Sequence, residues 1–316
     1  IEDNRGDKTS IYGTKVKKKK FNNRFNRSRF LSDSGIKRVF ENAPPQQQFL
    51  LDLYWQENEK PEFNTQPLRV CLIDIETYSP DSFPDVDNPN HVVNVITCYD
   101  NFTKKFHTFG IKPYNGKGRP DLNYVHCRDE RDMFIKFLEY LESDYPDIIS
   151  GWNSEFFDIP YIVGRIEHIL GPDYVNRLSP LGRVYSRLIR GQFGREQKRF
   201  YIEGVACLDY LDVYKRFCLK LRESYKLDAI GELELGQRKI DYGDSNLATL
   251  SDEDWDKFID YNIQDVNLLV RLEEKLQYFP LLRKLSYVGL TTLEGAMGTI
   301  QVINGALCIR ARDRGE

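Results

Sequence analysis

No two of the six cysteines fall close enough together to form a C-x-x-C pair. They stand at positions 71, 98, 127, 207, 218 and 308, a scatter that excludes a zinc knuckle and offers no disulfide framework. Reduced thiols are expected, with Cys71 a small core residue inside an apolar strand. No uninterrupted apolar run is long enough to span a bilayer, and the amino end has no secretory h-region, so a soluble intracellular protein is predicted. Charge of one sign is not in excess either: 45 basic against 48 acidic side chains leave a formal net charge of −3. No global field therefore draws the chain to nucleic acid or membrane, and any such preference must be local. Internal repeats and low-complexity tracts are also absent from the sequence.

What is present suffices for a substantial core in one large domain or two: 316 residues, 41% hydrophobic and 13% aromatic. Three parts are predicted. Residues 1–66 are polar and basic and read as an accessory segment or linker. Within them KVKKKKFNNRFNRSRF, from Lys15 to Phe30, sets Lys and Arg beside Phe and Asn with no acid. That composition suits phosphate contacts with base stacking, or else a solvated basic loop. From 67 to 276, strand-like runs (LRVCLIDI, VVNVITCYD, KKFHTFGI, DIISGW, RFYIEGVACLDYLDVY) alternate with helix-like stretches (ERDMFIKFLEYLESDYP, WDKFIDYNIQDVNLLVRLEEKLQ). The pattern is that of an α/β domain with a mixed sheet. Residues 277–316 read as helical with Gly interruptions.

The run LRVCLIDIETYSPDSFP, residues 68–84, begins as a buried strand and then places two carboxylates where the apolar pattern would continue. Side chains at i and i+2 share a face of a strand, so Asp74 and Glu76 leave the sheet side by side at its carboxyl end. Two ionised carboxylates about 4 Å apart repel by about 4 kcal/mol at the effective dielectric near a protein surface. Either they open into a solvated loop, or a divalent cation offsets the repulsion. Asp158, at the head of the helix predicted in DIISGWNSEFFDIPYIVGRIEHILG, reads as an N-cap or as a further ligand. In WDKFIDYNIQDVNLLVRLEEKL, Tyr261 and Asp265 are four apart and share one helical face, which is also what an ordinary amphipathic helix would give. RVYSRLIRGQFGREQKRFYIEG, residues 183–204, reads as a β-hairpin with the tip GQFG. Its arms carry Arg183, Arg187, Arg190, Arg195, Lys198 and Arg199, and Phe193 sits at the tip. Such a hairpin is either a device that parts nucleic-acid strands or a plain structural one.

Taken in order, D-x-E on a strand, N-x-x-x-F-D before a helix and Y-x-x-x-D within a helix resemble the motif set of the DEDDy 3′→5′ exonucleases. DIETYSPDSFP, GWNSEFFDIPY and YNIQDV are similar in particular to the editing domain of family B replicative DNA polymerases from large tailed bacteriophages. IYGTKVKKKKFNNRF and QFLLDLYW look like the end of that family's amino-terminal domain, and residues 177–217 resemble its exonuclease hairpin region. The resemblance covers nearly the whole chain and is weakest after about residue 290.

The resemblance implies a ribonuclease H-like α/β exonuclease domain over 67–276, with an inserted β-hairpin and a helical segment leading toward a palm. It implies that Asp74, Glu76, Asp158 and Asp265 hold two Mg²⁺ or Mn²⁺ ions, for hydrolysis of the 3′-terminal phosphodiester with release of nucleoside 5′-monophosphates. Tyr261 would orient the attacking water through its hydroxyl. Phe83 would wedge against the terminal bases, and Asn153 and Phe157 would line the pocket for the frayed strand. Lys239 would sit near the scissile phosphate, while Arg190, Phe193 and Arg195 of the hairpin would contact DNA. The implied substrate is the 3′ end of single-stranded or frayed primer–template DNA, and the implied task is proofreading in the cytoplasm of an infected bacterial host.

A complete polymerase of that family would continue into a palm with D-x-x-S-L-Y-P and Y-x-D-T-D and into fingers with a Lys-rich helix, none of which is in the sequence. DYGDSN at 241–246 precedes the third motif and lacks the second aspartate. With Ile at position 1, the expectation is either an excised piece or a split polymerase whose palm and fingers belong to a partner chain. The alternatives are a free-standing exonuclease acting on RNA or short oligonucleotides, and a non-catalytic DNA-binding scaffold subunit.

Overall fold

A computed structural model describes residues 1–10, 12–34, 44–56, 63–79, 83–116, 118–190, 196–236 and 247–314. The amino-terminal part holds a two-stranded ribbon, β1 (Lys8–Thr9) and β2 (Lys15–Val16), and two helices, α1 (Arg24–Asp33) and α2 (Pro45–Gln56). Then come β3 (Val70–Thr77), β4 (Val93–Asp100), β5 (Lys105–Gly110), β6 (Leu122–His126), α3 (Glu130–Ser143), β7 (Ile148–Ser150), α4 (Asp158–Leu170) and α5 (Pro172–Val175). The hairpin β8 (Val184–Arg190) and β9 (Glu196–Ile202) follows, then β10 (Ala206–Cys207), α6 (Tyr210–Phe217), α7 (Leu227–Leu235), α8 (Leu247–Glu253) and α9 (Trp255–Leu276). The carboxyl-terminal part is α10 (Tyr278–Gly289), α11 (Leu293–Ala296) and α12 (Thr299–Asp313).

Six strands make one mixed sheet in the order β10-β7-β3-β4-β5-β6. β4 runs antiparallel to both β3 and β5, while β7 is parallel to β3 and to β10, and β6 is parallel to β5. Helices flank it, so this is the α/β architecture that the alternating pattern predicts. The two central strands β3 and β4 are buried along almost their whole length, as near-continuous runs of Val, Ile and Cys require when helices cover both faces.

β3 divides its side chains between two cores. Val70 and Leu72 pack with Val213 of α6, Phe258, Ile263 and Val266 of α9 and Leu282 of α10. Cys71, Ile73 and Ile75 pack instead with Phe134 and Phe137 of α3 and Ile159, Ile162 and Ile166 of α4. Each fully buried aliphatic or aromatic side chain here contributes about 1.5 to 3 kcal/mol. The two rows therefore fix which face of β3 is which, and Asp74 and Glu76 continue the row that faces α9.

A buried ion pair ties the second core together. Arg165 of α4 donates through Nε to Glu130 Oε1 at 2.8 Å and through Nη2 to Oε2, and its Nη1 reaches Pro89 O at 3.0 Å. Glu130 Oε1 also accepts the first N–H of β4, from Val93, at 2.8 Å. One acid thus joins α3, α4 and the entry to the central sheet.

Two expectations are corrected. RFYIEGVACLDYLDVY is not one strand: β9 ends at Ile202, Gly204 turns the chain with φ +90°, and only Ala206–Cys207 rejoin the sheet. The rest is helix α6, because Asp209 caps it by accepting the Leu211 N–H at 2.9 Å. Tyr210, Val213, Tyr214 and Phe217 then fall at i, i+3, i+4 and i+7. The edge strand LNYVH (β6) lies in a stretch for which no strand is predicted; it is only partly buried, so its apolar signal is weak. Gln47 of α2 is buried and donates to Gly289 O at 2.7 Å and Gln301 O at 2.8 Å, tying α2 to α10 and α12. None of the described helices is long and apolar enough to cross a membrane.

Candidate active site

Asp74 and Glu76 project from β3 toward α9, where Asp265 meets them. Each of the three carboxylates offers an oxygen within 4.8 Å of the other two; Asp265 is buried and the strand pair half-buried. Every ionised pair at such a separation repels by about 4 kcal/mol at an effective dielectric of 20, yet three come together on two rigid elements. Hard anionic oxygens in this number suit a hard divalent cation such as Mg²⁺ or Mn²⁺ and do not suit soft metals. Tyr261 lies one helical turn before Asp265 and is half-exposed. Asn262, next to it, is fully buried and donates from Nδ2 to Asp74 Oδ2 at 2.6 Å.

Asp158 lies outside this mutual set. It is the first residue of α4 and not its N-cap: Phe157 holds the cap position, with no side-chain bond. The Asp158 carboxylate reaches the edge of β3, where Oδ1 accepts the Ile75 N–H at 3.1 Å. The opening exists because β7 pairs with β3 only as far as Ser150. At Gly151 the chain turns away across the strand, so close that a Cβ would stand 2.5 Å from Ile73 O. Burial pushes the Asp158 carboxyl up to about 7; the Ile75 N–H opposes the rise and the nearby Asp209 charge adds to it.

Asp209 organises the turn that carries the second motif. Besides capping α6, it accepts the Asn153 N–H at 3.0 Å on Oδ1 and the Glu155 N–H at 3.1 Å on Oδ2. Asn153 sits in the left-handed region, φ +65°, a conformation that Asn tolerates better than most residues. Burial raises Asp209 to about 6 and Glu155 to about 7, the latter against the pull of Arg199. Arg199 of β9 pairs with buried Glu155, so the hairpin is anchored to this turn.

The aromatic residues expected at the substrate end form a row. Phe83 is 86% exposed and its ring lies 6.2 Å from Phe157, which stacks on Tyr161 at 5.6 Å. Tyr161 is held by both backbone groups of His91. In the hairpin, Tyr185 and Tyr201 stack across the strands at 5.2 Å, with Arg187 over both rings. Its basic arms are partly neutralised: Arg183 pairs with Glu203 at 3.2 Å and Lys198 with Asp87 at 3.7 Å. Arg190 ends β8 opposite Glu196. Phe193, Arg195 and Lys239 lie outside the described residues.

Sequence reasoning missed Asn262, Asp209 and the Glu155–Arg199 pair. Asn262 carried a faint signal, since an amide among the buried positions Phe258, Ile259, Ile263 and Val266 of one helix is out of place unless something bonds it. Asp209 and Glu155 carried none, because their partners are remote in the chain.

Residues 22–230 match the family model described as DNA polymerase family B, exonuclease domain. Over 277 residues the chain is 29% identical to the DNA-directed DNA polymerase of Escherichia phage RB69, covering 80% of this chain and 30% of that protein. Over 258 residues it is 30% identical to the DNA-directed DNA polymerase of Enterobacteria phage T4, covering 74% and 28%. Similarity extends to the DNA polymerase of Orgyia pseudotsugata multicapsid polyhedrosis virus, 26% over 224 residues, covering 68% and 22%. The chain spans less than a third of the length of each of these relatives.

Proposed function

The chain belongs to the DNA polymerase family B exonuclease domain family, and on that premise we propose that it removes nucleotides one at a time from the 3′ end of single-stranded or frayed DNA. The observation that carries this reading is the meeting of Asp74, Glu76 and Asp265, from one strand and one helix, within 4.8 Å. Two divalent ions of the Mg²⁺ or Mn²⁺ class would be held there; bound, they offset the carboxylate charge and stabilise charge developing on the attacking and departing oxygens. Asp158 is the fourth ligand in this proposal, assigned from its motif and not from its present position.

The chain's own groups supply the rest. The Tyr261 hydroxyl orients the water that attacks phosphorus, by hydrogen bonding. The P–O3′ bond breaks, the departing oxygen takes up a proton, and a nucleoside 5′-monophosphate leaves behind a strand with a new 3′ hydroxyl. Phe83 and Phe157 stack on the terminal bases, at about 1 to 3 kcal/mol per base and with little regard for sequence; Asn153 lines the same pocket. The hairpin, through Arg190, Phe193 and Arg195, keeps template and primer apart, and Lys239 faces the scissile phosphate.

In this reading residues 67–276 carry the nuclease and 1–66 are part of an amino-terminal domain. Residues 277–316 lead toward a palm, whether on a partner chain or in the same polypeptide. The task is proofreading beside a polymerase, in the cytoplasm of an infected bacterium. The test is incubation with 3′-labelled single-stranded DNA, with and without Mg²⁺, beside an Asp74→Ala/Glu76→Ala variant. Metal-dependent release of mononucleotides by the native chain alone is expected. Binding without cleavage under every condition would favour a scaffold subunit instead.

A further inference from the structure

We infer that Asn262 is a positioning residue: its side-chain amide orients Asp74 and sets how α9 docks on β3, so that the carboxylates stand ready for divalent ions. The inference rests on the nuclease reading and extends it to a residue outside the acidic set.

Asn262 is 0% exposed on a helix whose neighbouring positions Ile259, Ile263 and Val266 are also buried. Burying an amide there costs about 1 to 3 kcal/mol unless its groups are bonded. Its Nδ2 spends one donor on Asp74 Oδ2 at 2.6 Å. Among the described residues its Oδ1 is buried with no hydrogen-bond partner. The amide can face only one way, since its oxygen against a carboxylate oxygen would be repulsive. Among the described residues, what the amide gains is the bond to Asp74. An apolar residue would fill the position at less cost to folding.

The bond has two geometric consequences. It takes up one lone pair of Oδ2 and so restricts the plane of the Asp74 carboxylate beside the like charges of Glu76 and Asp265. It also pins position 262 of α9 to β3. Asp265 is one turn further along the same helix, so the separation of its carboxylate from the strand pair is set by the same contact. Outer groups that orient metal ligands in this way govern metal affinity by about 10- to 100-fold.

The test is calorimetric titration of the full chain with MnCl₂, comparing native protein with Asn262→Leu, which keeps the branching and heavy-atom number of the side chain, and the smaller Asn262→Ser. Thermal unfolding without metal serves as the check on folding. The expected result is cooperative unfolding retained in the Leu variant with Mn²⁺ bound about 10- to 100-fold more weakly. DNA hydrolysis should then recover toward the native rate as Mn²⁺ is raised. A folded variant that binds Mn²⁺ within roughly threefold of native overturns the inference. So does loss of folding in both variants, since the amide would then be holding the fold and not a carboxylate. Native protein that binds no Mn²⁺ removes the nuclease reading itself, and this inference with it.

Discussion

Asp158 Oδ1 accepts the N–H of Ile75 at 3.1 Å, closing the gap in the sheet where β7 turns away from β3. The bond lands on the residue between Asp74 and Glu76, so one carboxylate has a structural duty and a proposed chemical one. The two separate by substitution. Asp158→Asn keeps an acceptor for the N–H, and its urea midpoint should stay close to native while 3′-nucleotide release is lost. Asp158→Ala strands a buried N–H and should lower stability as well, by about 1 to 3 kcal/mol. Full nucleotide release by Asp158→Asn would remove Asp158 from the chemistry.

Relieving the carboxylate repulsion gives a second signature. Asp265→Asn should unfold at a higher temperature than native protein in EDTA, since one of three mutually repelling charges is gone. Added Mn²⁺ should reverse the order, because a ligand at 100 times its Kd stabilises the native chain by about 2.7 kcal/mol. Differential scanning calorimetry reads both, and a native melting temperature unmoved by Mn²⁺ would contradict the metal site.

The Glu130–Arg165 pair predicts a loss far from the site. Arg165→Ala leaves Glu130 charged and buried, at a cost of about 3 to 5 kcal/mol, whereas Glu130→Gln/Arg165→Met should be milder because no lone charge remains. Urea denaturation of the single and double variants tests the ordering.

Glu273 predicts how stability varies with pH. It is half-buried and accepts the N–H groups of Tyr278 and Phe279 at the head of α10 and the Tyr210 hydroxyl. Burial raises it from its ordinary 4.5 to about 7 despite those bonds. The folded chain therefore keeps this proton between pH 4.5 and 7 where the unfolded chain has lost it, so this residue's contribution to stability falls as pH rises through that window and is level above it. The drop is on the order of 3 kcal/mol. Glu273→Gln should flatten that part of the profile, seen as the difference between native and variant stability curves.

A fifth expectation concerns the hairpin. Arg199→Ala frees β9 from the turn at Glu155 and should slow removal of paired 3′ ends by roughly tenfold, about 1.4 kcal/mol at the transition state. Single strands should be cut almost as well as before. Substituting Phe193 and its flanking Arg residues should act the same way, and equal loss on both substrates would count against strand parting.

How much of this was legible depended on how far each residue's partner lies along the chain. The alternation of β3 was readable because Val70 and Leu72 share a face with Asp74 and Glu76, and the period of two is local. The spacing of Tyr261 and Asp265 was equally local. Asn262 was not, because what makes it matter is a carboxylate on another element. Arg199 read as one more cation on a basic hairpin, while its acid stands in a different motif. Helix α6 was mistaken for strand because Tyr and Val favour strands, and its only local helix signals were a short cap and four apolar positions.

The bond between Asn262 and Asp74 spans 188 positions of sequence, and this bears on biosynthesis. As the chain leaves the ribosome, Asp74 and Glu76 emerge well ahead of α9, side by side and with no opposing helix. Nothing that resembles a cutting centre exists until α9 has been translated and has docked. On the nuclease reading, a chain arrested upstream of Asp265 is harmless to nearby DNA, and hydrolytic competence arrives only when almost the entire domain has been made.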